Sequence, residues 1–442
     1  MAGRTARLLN IPPPLWALIG FGIATLTKAL GGLVVIKICA IWLGPSIFGQ
    51  LGQMMTLVAI VSTFAGGGTS SALIHSLSST SDTHTQQRKL TAALVIFTGA
   101  SSLMCLLLIL FRHRLSVWIL GQPDLGWTFV VLAFSQWLVG TNNICQAVLS
   151  SLRRTRAMVL IPVLGIILGV GLFSVLLLKY GTPGAALGLV LMPAMLGVFG
   201  LGYWLFFLPP MWRHFIWPVK REDIRELLSY AAVMLVSATT VPGAQLLVRN
   251  YVGAHVGWDA VGYWQGVLKI SDVYMQLVAM MGIYYALPRF SAATSFAALN
   301  HQYRRILSVI LPVMLAGFGL IMLLRHFVIT VLFSPAFLPM QENFLPQLLG
   351  DTLRIPSILF IYYSLSRGAR LMLVSYELTQ AGILALAAYF LLPYTAGMAP
   401  VAAHVVASAC TLTLMAILYL CNRRRWQDRF TTASPLVTEV PV

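Results

Sequence analysis

The chain has 442 residues, of which 58% are hydrophobic and only 9% are charged, and its formal net charge is +17. A water-soluble protein of this length could not keep so much apolar surface out of water, and the apolar–polar alternation of a membrane barrel is absent. The composition therefore predicts an all-α polytopic membrane protein. The excess of Lys and Arg fits the bias that orients membrane helices, so we expect no nucleic-acid partner.

About twelve apolar segments are long enough to span a membrane as helices. The first follows Arg4 and Arg7 and continues to Trp42 without a small-residue cleavage site, so it is interpreted as a helix and not as a signal peptide. A stretch from Phe327 to Leu338 is too short to span and is expected at the interface. The predicted spans are 15–43, 50–75, 90–111, 126–150, 157–178, 184–208, 227–251, 263–288, 305–324, 347–366, 370–391 and 399–421.

The positions of Lys and Arg test this division. Twenty of the 29 fall in one set of loops and ends, four fall in the opposite loops and five lie inside spans. Such an asymmetry favours an even number of spans with both termini in the cytoplasm.

The chain is predicted to consist of two six-helix halves. A basic, Pro-containing connection divides it into a lobe over 1–212, a cytoplasmic linker over 213–226, a lobe over 227–430 and a disordered tail over 431–442. Two stretches recur: Leu43 to Gln53 resembles Trp258 to Gly266, and Tyr180 to Ala186 resembles 397–403. The offsets, 213 and 216 residues, are nearly equal, which indicates a parallel duplication.

Charged residues inside spans are the main candidates for function. Each costs about 2.5–3.5 kcal/mol at mid-membrane on insertion scales, so it usually faces a cavity or a partner. Lys37 and Arg249 lie near helix ends, where they either extend to the interface or contact cargo, whereas Lys28 lies deeper in its helix. The planar guanidinium group of Arg also matches the arrangement of phosphate oxygens. The candidates are Lys28, Lys37, Arg249, Lys269, Asp272, Asp351, Arg354 and Glu377.

Among these candidates there are two pairs whose members lie three residues apart in the sequence. This spacing places both members of a pair on one helix face. Lys269 with Asp272, and Asp351 with Arg354, are therefore either local ion pairs or substrate contacts. Glu377 is a candidate for coupling to protons, or it has an acceptor or donor on another helix.

Aromatic and amide side chains cluster around the eighth span. Trp264 and Gln265 belong to this cluster. The flat faces of aromatic rings and the hydrogen-bonding amide groups are suited to binding sugars. Trp258 and Tyr263 fit an interfacial belt instead.

No motif indicates an enzyme, a metal site or a cofactor. Phosphate-binding GK[ST] loops, HExxH, GxSxG and paired DxD motifs are absent, and the histidines are scattered. The five cysteines include no CxxC and are interpreted as core residues. We therefore assign no catalytic residue, no metal ligand and no cofactor.

The chain resembles the Wzx-type flippases of the multidrug/oligosaccharidyl-lipid/polysaccharide exporter superfamily, and among them the group that handles lipid III of enterobacterial common antigen. The resemblance runs through all twelve spans. The stretches that carry it are 26–45, 258–266, 270–276, 350–354 and 377–380. All the intramembrane charges match except Lys269, and Arg354 stands where that pattern has Lys.

This resemblance implies two lobes around a central cavity that opens alternately to either side of the bacterial inner membrane. The implied cargo is an undecaprenyl-diphosphate-linked oligosaccharide, lipid III or an O-antigen unit, moved from the cytoplasmic to the periplasmic leaflet among inner-membrane lipids. Further expected partners are the glycan polymerase and the chain-length regulator of the pathway.

Two other classes were considered. A drug/cation antiporter of the same superfamily would be expected to carry acidic residues in the first six spans, and there are none. A glycan polymerase or transferase would be expected to have a long catalytic outer loop, which this chain lacks. A flippase is therefore the leading hypothesis, and the antiporter is the alternative.

Overall fold

The computed structural model describes residues 13–432 apart from 67, 79, 81, 210, 211, 213 and 214. These residues form fifteen α-helices and no β-strand. In chain order, α1 to α15 are Pro13–Trp42, Gly44–Phe64, Ser70–Ser78, Thr83–Leu110, Arg112–Leu120, Gly126–Ser151, Thr155–Phe206, Arg221–His255, Trp258–Met281, Leu287–Ser291, Phe296–Leu323, Arg325–Leu332, Phe344–Leu365, Arg370–Thr395 and Ala399–Thr432.

The long helices coincide with the predicted spans. Among the described residues, eight helical stretches are long and apolar enough to cross a membrane. Two of them, Thr155–Phe206 and Leu371–Arg424, contain 52 and 54 residues, and each covers two predicted spans. The two remaining predicted spans fall on α6 and α13, of 26 and 22 residues. The prediction of an all-α, multi-pass membrane protein is confirmed.

One predicted span differs in extent. The segment expected over 50–75 is a single span only as far as Phe64, where α2 ends. A turn then reaches Gly68, whose φ of +64° belongs to the left-handed region that glycine adopts readily, and α3 follows. The expected interfacial stretch at 327–338 is the short helix α12 followed by a 3₁₀ segment, Pro335–Asn343.

Helix α4 shows how a polar residue sets a helix start. The Asp82 carboxylate accepts hydrogen bonds from the backbone N–H groups of His84 and Thr85, which would otherwise lack partners. The Thr85 hydroxyl also donates to it at 2.5 Å, and these bonds hold the pKa of Asp82 below its usual range. The apolar run of α4 begins at Leu90, about two turns later.

The chain divides into two compact units, Met1–Thr239 and Thr240–Val442, so the division falls within α8. The stretch 215–220, part of the predicted linker, precedes α8, and the first turns of α8 belong to unit 1. There Arg88 Nε lies 2.6 Å from Asp223 Oδ2, and Lys89 Nζ lies 3.4 Å from Glu226 Oε2. Helix α15 includes residues 431 and 432, and the rest of the tail predicted to be disordered, 433–442, lies outside the described residues.

The same backbone breaks occur in both halves of the sequence. Within α7 the chain bends at Gly181, with φ 62° and ψ −135°. Between α14 and α15 it bends at Ala396, with φ 45° and ψ −121°. The predicted duplication pairs Gly181 with Gly397, so the second bend lies one residue before the counterpart of the first.

Two further pairs support the duplication. Arg154 before α7 has φ −81° and ψ 64°, and Ala369 before α14 has φ −82° and ψ 64°. Phe111 before α5 and Leu324 before α12 also share almost the same dihedral angles, −96° and 9° against −92° and 9°. Each unit thus repeats the same local succession of helices and turns.

The core of unit 2 consists of two apolar clusters. One lies among α9, α10, α11, α13 and α15 and contains aromatic rings in contact: Tyr363 stacks on Phe360 and meets the ring of Phe290 edge-on. The other joins α8, α9, α14 and α15 through small and β-branched residues such as Val252 and Ala403. Polar side chains of the same helices form the candidate site.

Candidate functional site

Unit 2 contains a group of polar and charged side chains on the helices α8, α9, α13, α14 and α15, which we call the polar core. Of the ten predicted site residues, eight lie on these helices. The eight are Arg249, Trp264, Gln265, Lys269, Asp272, Asp351, Arg354 and Glu377.

Arg249 is a buried cation on α8, with 2% of the residue exposed. Its Nη2 donates a 2.7 Å hydrogen bond to Gln265 Oε1, and its guanidinium lies 5.3 Å from the Trp264 ring centroid. A charged hydrogen bond and a cation–π contact both stabilise a desolvated guanidinium. Trp264 and Gln265, predicted as sugar contacts, therefore support Arg249 in this structure, and Asp272 attracts it at longer range.

Lys269 and Asp272 form the local ion pair that their spacing predicts. Lys269 Nζ lies 2.9 Å from Asp272 Oδ2. Their side chains are 29% and 63% exposed, so this pair contributes little to stability. Both residues remain accessible to a ligand.

Asp351 on α13 is fully buried and accepts hydrogen bonds from four side chains. Ser271 and Tyr274 of α9 donate to Oδ2 at 2.6 and 2.5 Å, and Gln347 Nε2 donates to the same oxygen at 3.2 Å. The fourth partner, His404 Nε2 on α15, lies 2.9 Å from Oδ1. A carboxylate with four donors is well stabilised in an apolar interior.

Arg354 does not form the local ion pair that its spacing from Asp351 suggested. In the described part of the chain, Arg354 Nε donates a 3.0 Å hydrogen bond to the Tyr376 hydroxyl of α14. The Asp351 carboxylate is already occupied by donors from α9 and α15, and Arg354, almost one turn further on, reaches α14 instead. Glu377 is half-buried and lies within electrostatic range of Arg354.

Part of the polar core borders a small cavity of about 50 Å³. Its wall combines apolar side chains with the Trp264 ring and with groups that can donate or accept hydrogen bonds. The polar members are Gln245, Ser271, Asp272, Gln347, Arg354, Gln380 and His404. The amide nitrogen of Gln265 and the amide oxygen of Gln347 are buried without a hydrogen-bond partner among the described residues.

The other two predicted site residues lie on α1 in unit 1. Lys28 is exposed, and Lys37, nine residues further along the helix, is half-buried. Nine residues are two and a half turns, so the two ammonium groups leave the helix on different faces. Their contact with cargo stays a prediction.

Three residues of the polar core were not among the predicted site residues: His404, Gln347 and Tyr376. His404 was one of several scattered histidines, yet it lies inside an apolar helix, and that position was an available signal. Gln347 precedes Asp351 by four residues, which places the two on one helix face. Nothing in the local sequence of Tyr376 connects it with Arg354, 22 residues earlier.

The fold is that of a polytopic helical membrane protein with charged side chains buried among its helices. The structure is similar to an inward-facing structure of a multidrug resistance MATE family transporter of the MOP superfamily, with a TM-score of 0.77 and 17% identity over 95% of this chain and 100% of that one. It is also similar to the lipid II flippase MurJ in an inward closed conformation, with a TM-score of 0.70 and 13% identity over 91% and 87% of the two chains. The superfamily fold predicted from the resemblance is confirmed.

The chain belongs to the polysaccharide biosynthesis protein family, whose pattern matches residues 19–294. It is 27% identical over 416 residues to proteins named lipid III flippase from Escherichia coli (strain K12) and Shigella flexneri. Each alignment covers 91% of this chain and 97% of the relative. The family predicted from the sequence is thus confirmed.

Proposed function

We propose that this chain is a flippase that moves an undecaprenyl-diphosphate-linked oligosaccharide across the bacterial inner membrane by alternating access. The observation that carries the proposal is Arg249, a buried guanidinium held by Gln265 and Trp264 inside an apolar helix. The family and the names of its 27% identical relatives support the same class of cargo.

The physical need for such a site is clear. A diphosphate carries at least two negative charges, and each is strongly disfavoured in hydrocarbon. Arg binds phosphate oxygens with two parallel hydrogen bonds, and burial strengthens the attraction. Arg249 and Arg354 are the proposed diphosphate contacts of unit 2, and Lys269 with Asp272 forms an accessible polar face beside them.

Lys28 and Lys37 are proposed as cationic contacts in unit 1. They lie on α1, whose surroundings are otherwise apolar, and no acidic side chain shares that helix. Two unequally exposed ammonium groups along one helix provide successive positions for an anionic head group.

The distribution of Lys and Arg among the loops suggests how the protein is oriented in the membrane. Because basic residues are concentrated in alternate loops and at both ends, we infer that both termini are cytoplasmic and that the cargo moves from the cytoplasmic to the periplasmic leaflet. Lipid III of enterobacterial common antigen is the proposed cargo, since proteins named for it align over nearly their whole length. The polymerase and the chain-length regulator of the pathway are proposed partners.

Complementation tests this function. An Escherichia coli strain without its lipid III flippase should regain surface enterobacterial common antigen when it expresses this chain. The variant Arg249→Ala should lose at least tenfold of that surface antigen, and Arg249→Lys should recover only part, since an ammonium group lacks the planar fork.

The matched control is Arg305→Ala, which removes an exposed cation at the start of α11, away from the polar core. It should complement like the unaltered chain. Membrane abundance is measured for each variant by immunoblotting. Full complementation by Arg249→Ala would remove Arg249 from the site, and failure of the unaltered chain to rescue any lipid-linked oligosaccharide pathway would overturn the flippase function.

A further inference from the structure

We propose that unit 2 contains a binding site for an anionic phospholipid of the bilayer, with an acyl chain in an apolar cavity and the phosphate on Arg304. The cavity lies among α11, α13 and α15 and has a volume of about 230 Å³. An apolar cavity of about 150 Å³ already admits benzene, so this one has room for part of a hydrocarbon chain.

The wall of the cavity is apolar because its tyrosine hydroxyls are bonded to the protein. The Tyr303 hydroxyl donates a 3.1 Å hydrogen bond to the Pro356 carbonyl oxygen. The hydroxyls of Tyr363 and Tyr419 both donate to Asn300 Oδ1, each at 3.2 Å. The three tyrosines therefore line the cavity mainly with the apolar surface of their rings. Such a wall suits a hydrocarbon chain better than a sugar.

The entrance of the cavity lies on an apolar surface of unit 2. Two of the lining residues, Arg304 and Ala416, are exposed. Large exposed side chains surround them, among them Val309 on α11 and Ile417 and Leu420 on α15. Little of the apolar part of α11 is buried in the protein. On helices that span a membrane such side chains contact lipid tails, so an acyl chain has direct access to the cavity.

Arg304 places a positive charge at this entrance. It is the one charged residue that lines the cavity, and among the described residues it has no ion-pair partner. Helix α11 contains a second arginine, Arg305, and no acidic residue. A guanidinium binds two oxygens of a phosphate in parallel. Basic pockets between membrane helices on the cytoplasmic side, where the inferred orientation puts the start of α11, are suited to anionic head groups.

Asn300 supplies a second polar contact for the same head group. Its Oδ1 accepts from the two tyrosine hydroxyls, so the two hydrogens on Nδ2 remain for another acceptor. Asn300 precedes Arg304 by four residues, which places both on one helix face, and the longer side chain leans back toward Asn300. One lipid can therefore accept from Asn300 and Arg304 through its phosphate and ester oxygens.

The position of the cavity favours a bilayer phospholipid over the cargo. No residue that lines it also lines the cavity of the polar core. On α13, Arg354 borders the polar core and Pro356 borders the lipid cavity. Two residues correspond to about 200° around a helix, so the two sites use opposite faces of α13. A phospholipid can thus stay bound in unit 2 whether or not cargo is present.

Photolabelling of the full-length protein in phosphatidylcholine nanodiscs tests the site. The probe is phosphatidylglycerol with a diazirine in one acyl chain, and the comparison is phosphatidylcholine with the same chain. Mass spectrometry should find the label on residues of the cavity wall such as Phe360, Leu412 and Met415. At equal mole fraction the anionic probe should label them about fivefold more, because one arginine near the membrane surface favours an anionic lipid by about that factor.

Two variants separate the charge from the cavity. Arg304→Ala should reduce labelling by the anionic probe to the level of the phosphatidylcholine probe. Arg305→Ala, the matched control, removes the adjacent exposed cation, which does not line the cavity, and should label like the unaltered protein. Ala416→Phe adds a ring at the entrance and should reduce labelling by both probes. Its control is Ile417→Phe, at an exposed position outside the cavity.

Three results would overturn the site. They are equal labelling of the cavity by both probes in the unaltered protein, equal labelling of Arg304→Ala and Arg305→Ala, and stronger competition by farnesyl-diphosphate-linked N-acetylglucosamine than by unlabelled phosphatidylglycerol. The last result would assign the cavity to cargo. The complementation assay with Arg249 variants is independent of these measurements, so loss of the lipid site would leave the flippase function standing.

Discussion

Gly350 leaves the space into which the ring of His404 packs. A Cβ atom at position 350 would lie 2.3 Å from Cδ2 of His404, far inside van der Waals contact. The neighbouring residue, Asp351, receives the hydrogen bond from that ring. The Gly350-Asp351 pair therefore joins α13 to α15 by close packing at one residue and by an ionic hydrogen bond at the next.

Gly350→Ala should displace the imidazole and weaken its bond to Asp351. Overpacking of a buried site costs about 1–3 kcal/mol, so the apparent Tm of the purified protein should fall. Thermal unfolding followed by intrinsic fluorescence measures this effect.

Gly382→Ala is the matched control, because a Cβ atom at this position on α14 has nothing within 4 Å. In a helix interior Ala is favoured over Gly by about 1 kcal/mol, so this variant should be equally stable or more stable. If Gly350→Ala were as stable as the control, the packing at His404 would not constrain the ring.

Many residues of the polar core were predictable from the sequence, but the hydrogen-bond and ion-pair partners of these residues mostly were not. Charged residues in apolar runs identified Arg249 and Asp351, because such residues are costly in a membrane and need partners. The partner of Asp351, His404, is 53 residues away, and only the packing of α13 against α15 brings the two together. Spacing along one helix correctly gave Lys269 with Asp272, but it cannot show that Arg354 turns to α14.

The duplication was predictable for a different reason. Local sequence governs local bends, so the glycine-containing stretches at 181 and 397 indicated related turns before their conformations were known. The precise residue in the left-handed region was not evident, because in the second half the positive φ falls on Ala396, one residue before Gly397, the counterpart of Gly181.

Ala396→Gly should stabilise the protein. Ala396 has φ 45° and ψ −121°, a conformation that costs a residue with a Cβ atom about 1–3 kcal/mol. Glycine relieves that strain, although its greater freedom in the unfolded chain offsets part of the gain. The apparent Tm should rise, and a fall would show that contacts of the alanine methyl outweigh backbone strain.

At the similar bend in unit 1, the opposite substitution should have the opposite effect on stability. Gly181 has φ 62°, and a Cβ atom there would have nothing within 4 Å, so Gly181→Ala changes conformational energy without a clash. It should lower the apparent Tm by an amount comparable to the gain at Ala396. Because both substitutions concern one methyl group at matched bends, opposite signs would support a shared backbone requirement.

Gln265→Met should destabilise the environment of Arg249. The thioether is a much weaker acceptor than the amide oxygen that now accepts from Nη2, so a buried guanidinium loses a charged hydrogen bond. Such losses cost about 1–3 kcal/mol. We expect a lower apparent Tm and reduced complementation, with Gln302→Met, at a half-buried site on α11, as the control. Equal behaviour of the two variants would mean that Gln265 does not support Arg249.

Asp272→Asn and Lys269→Ala should alter binding with opposite signs while leaving stability almost unchanged. The pair is partly exposed, so its loss should cost about 0.2–1 kcal/mol at most. Removing the acid raises the net charge of the polar core by one, and removing the lysine lowers it by one. A farnesyl-diphosphate-linked N-acetylglucosamine probe should therefore bind more tightly to Asp272→Asn and more weakly to Lys269→Ala, as measured by calorimetry at neutral pH and low salt. Because screening weakens interactions between exposed charges, both differences should shrink as salt rises to about 0.5 M. If the two variants shifted affinity in the same direction, local contacts of the pair would outweigh the net charge of the core.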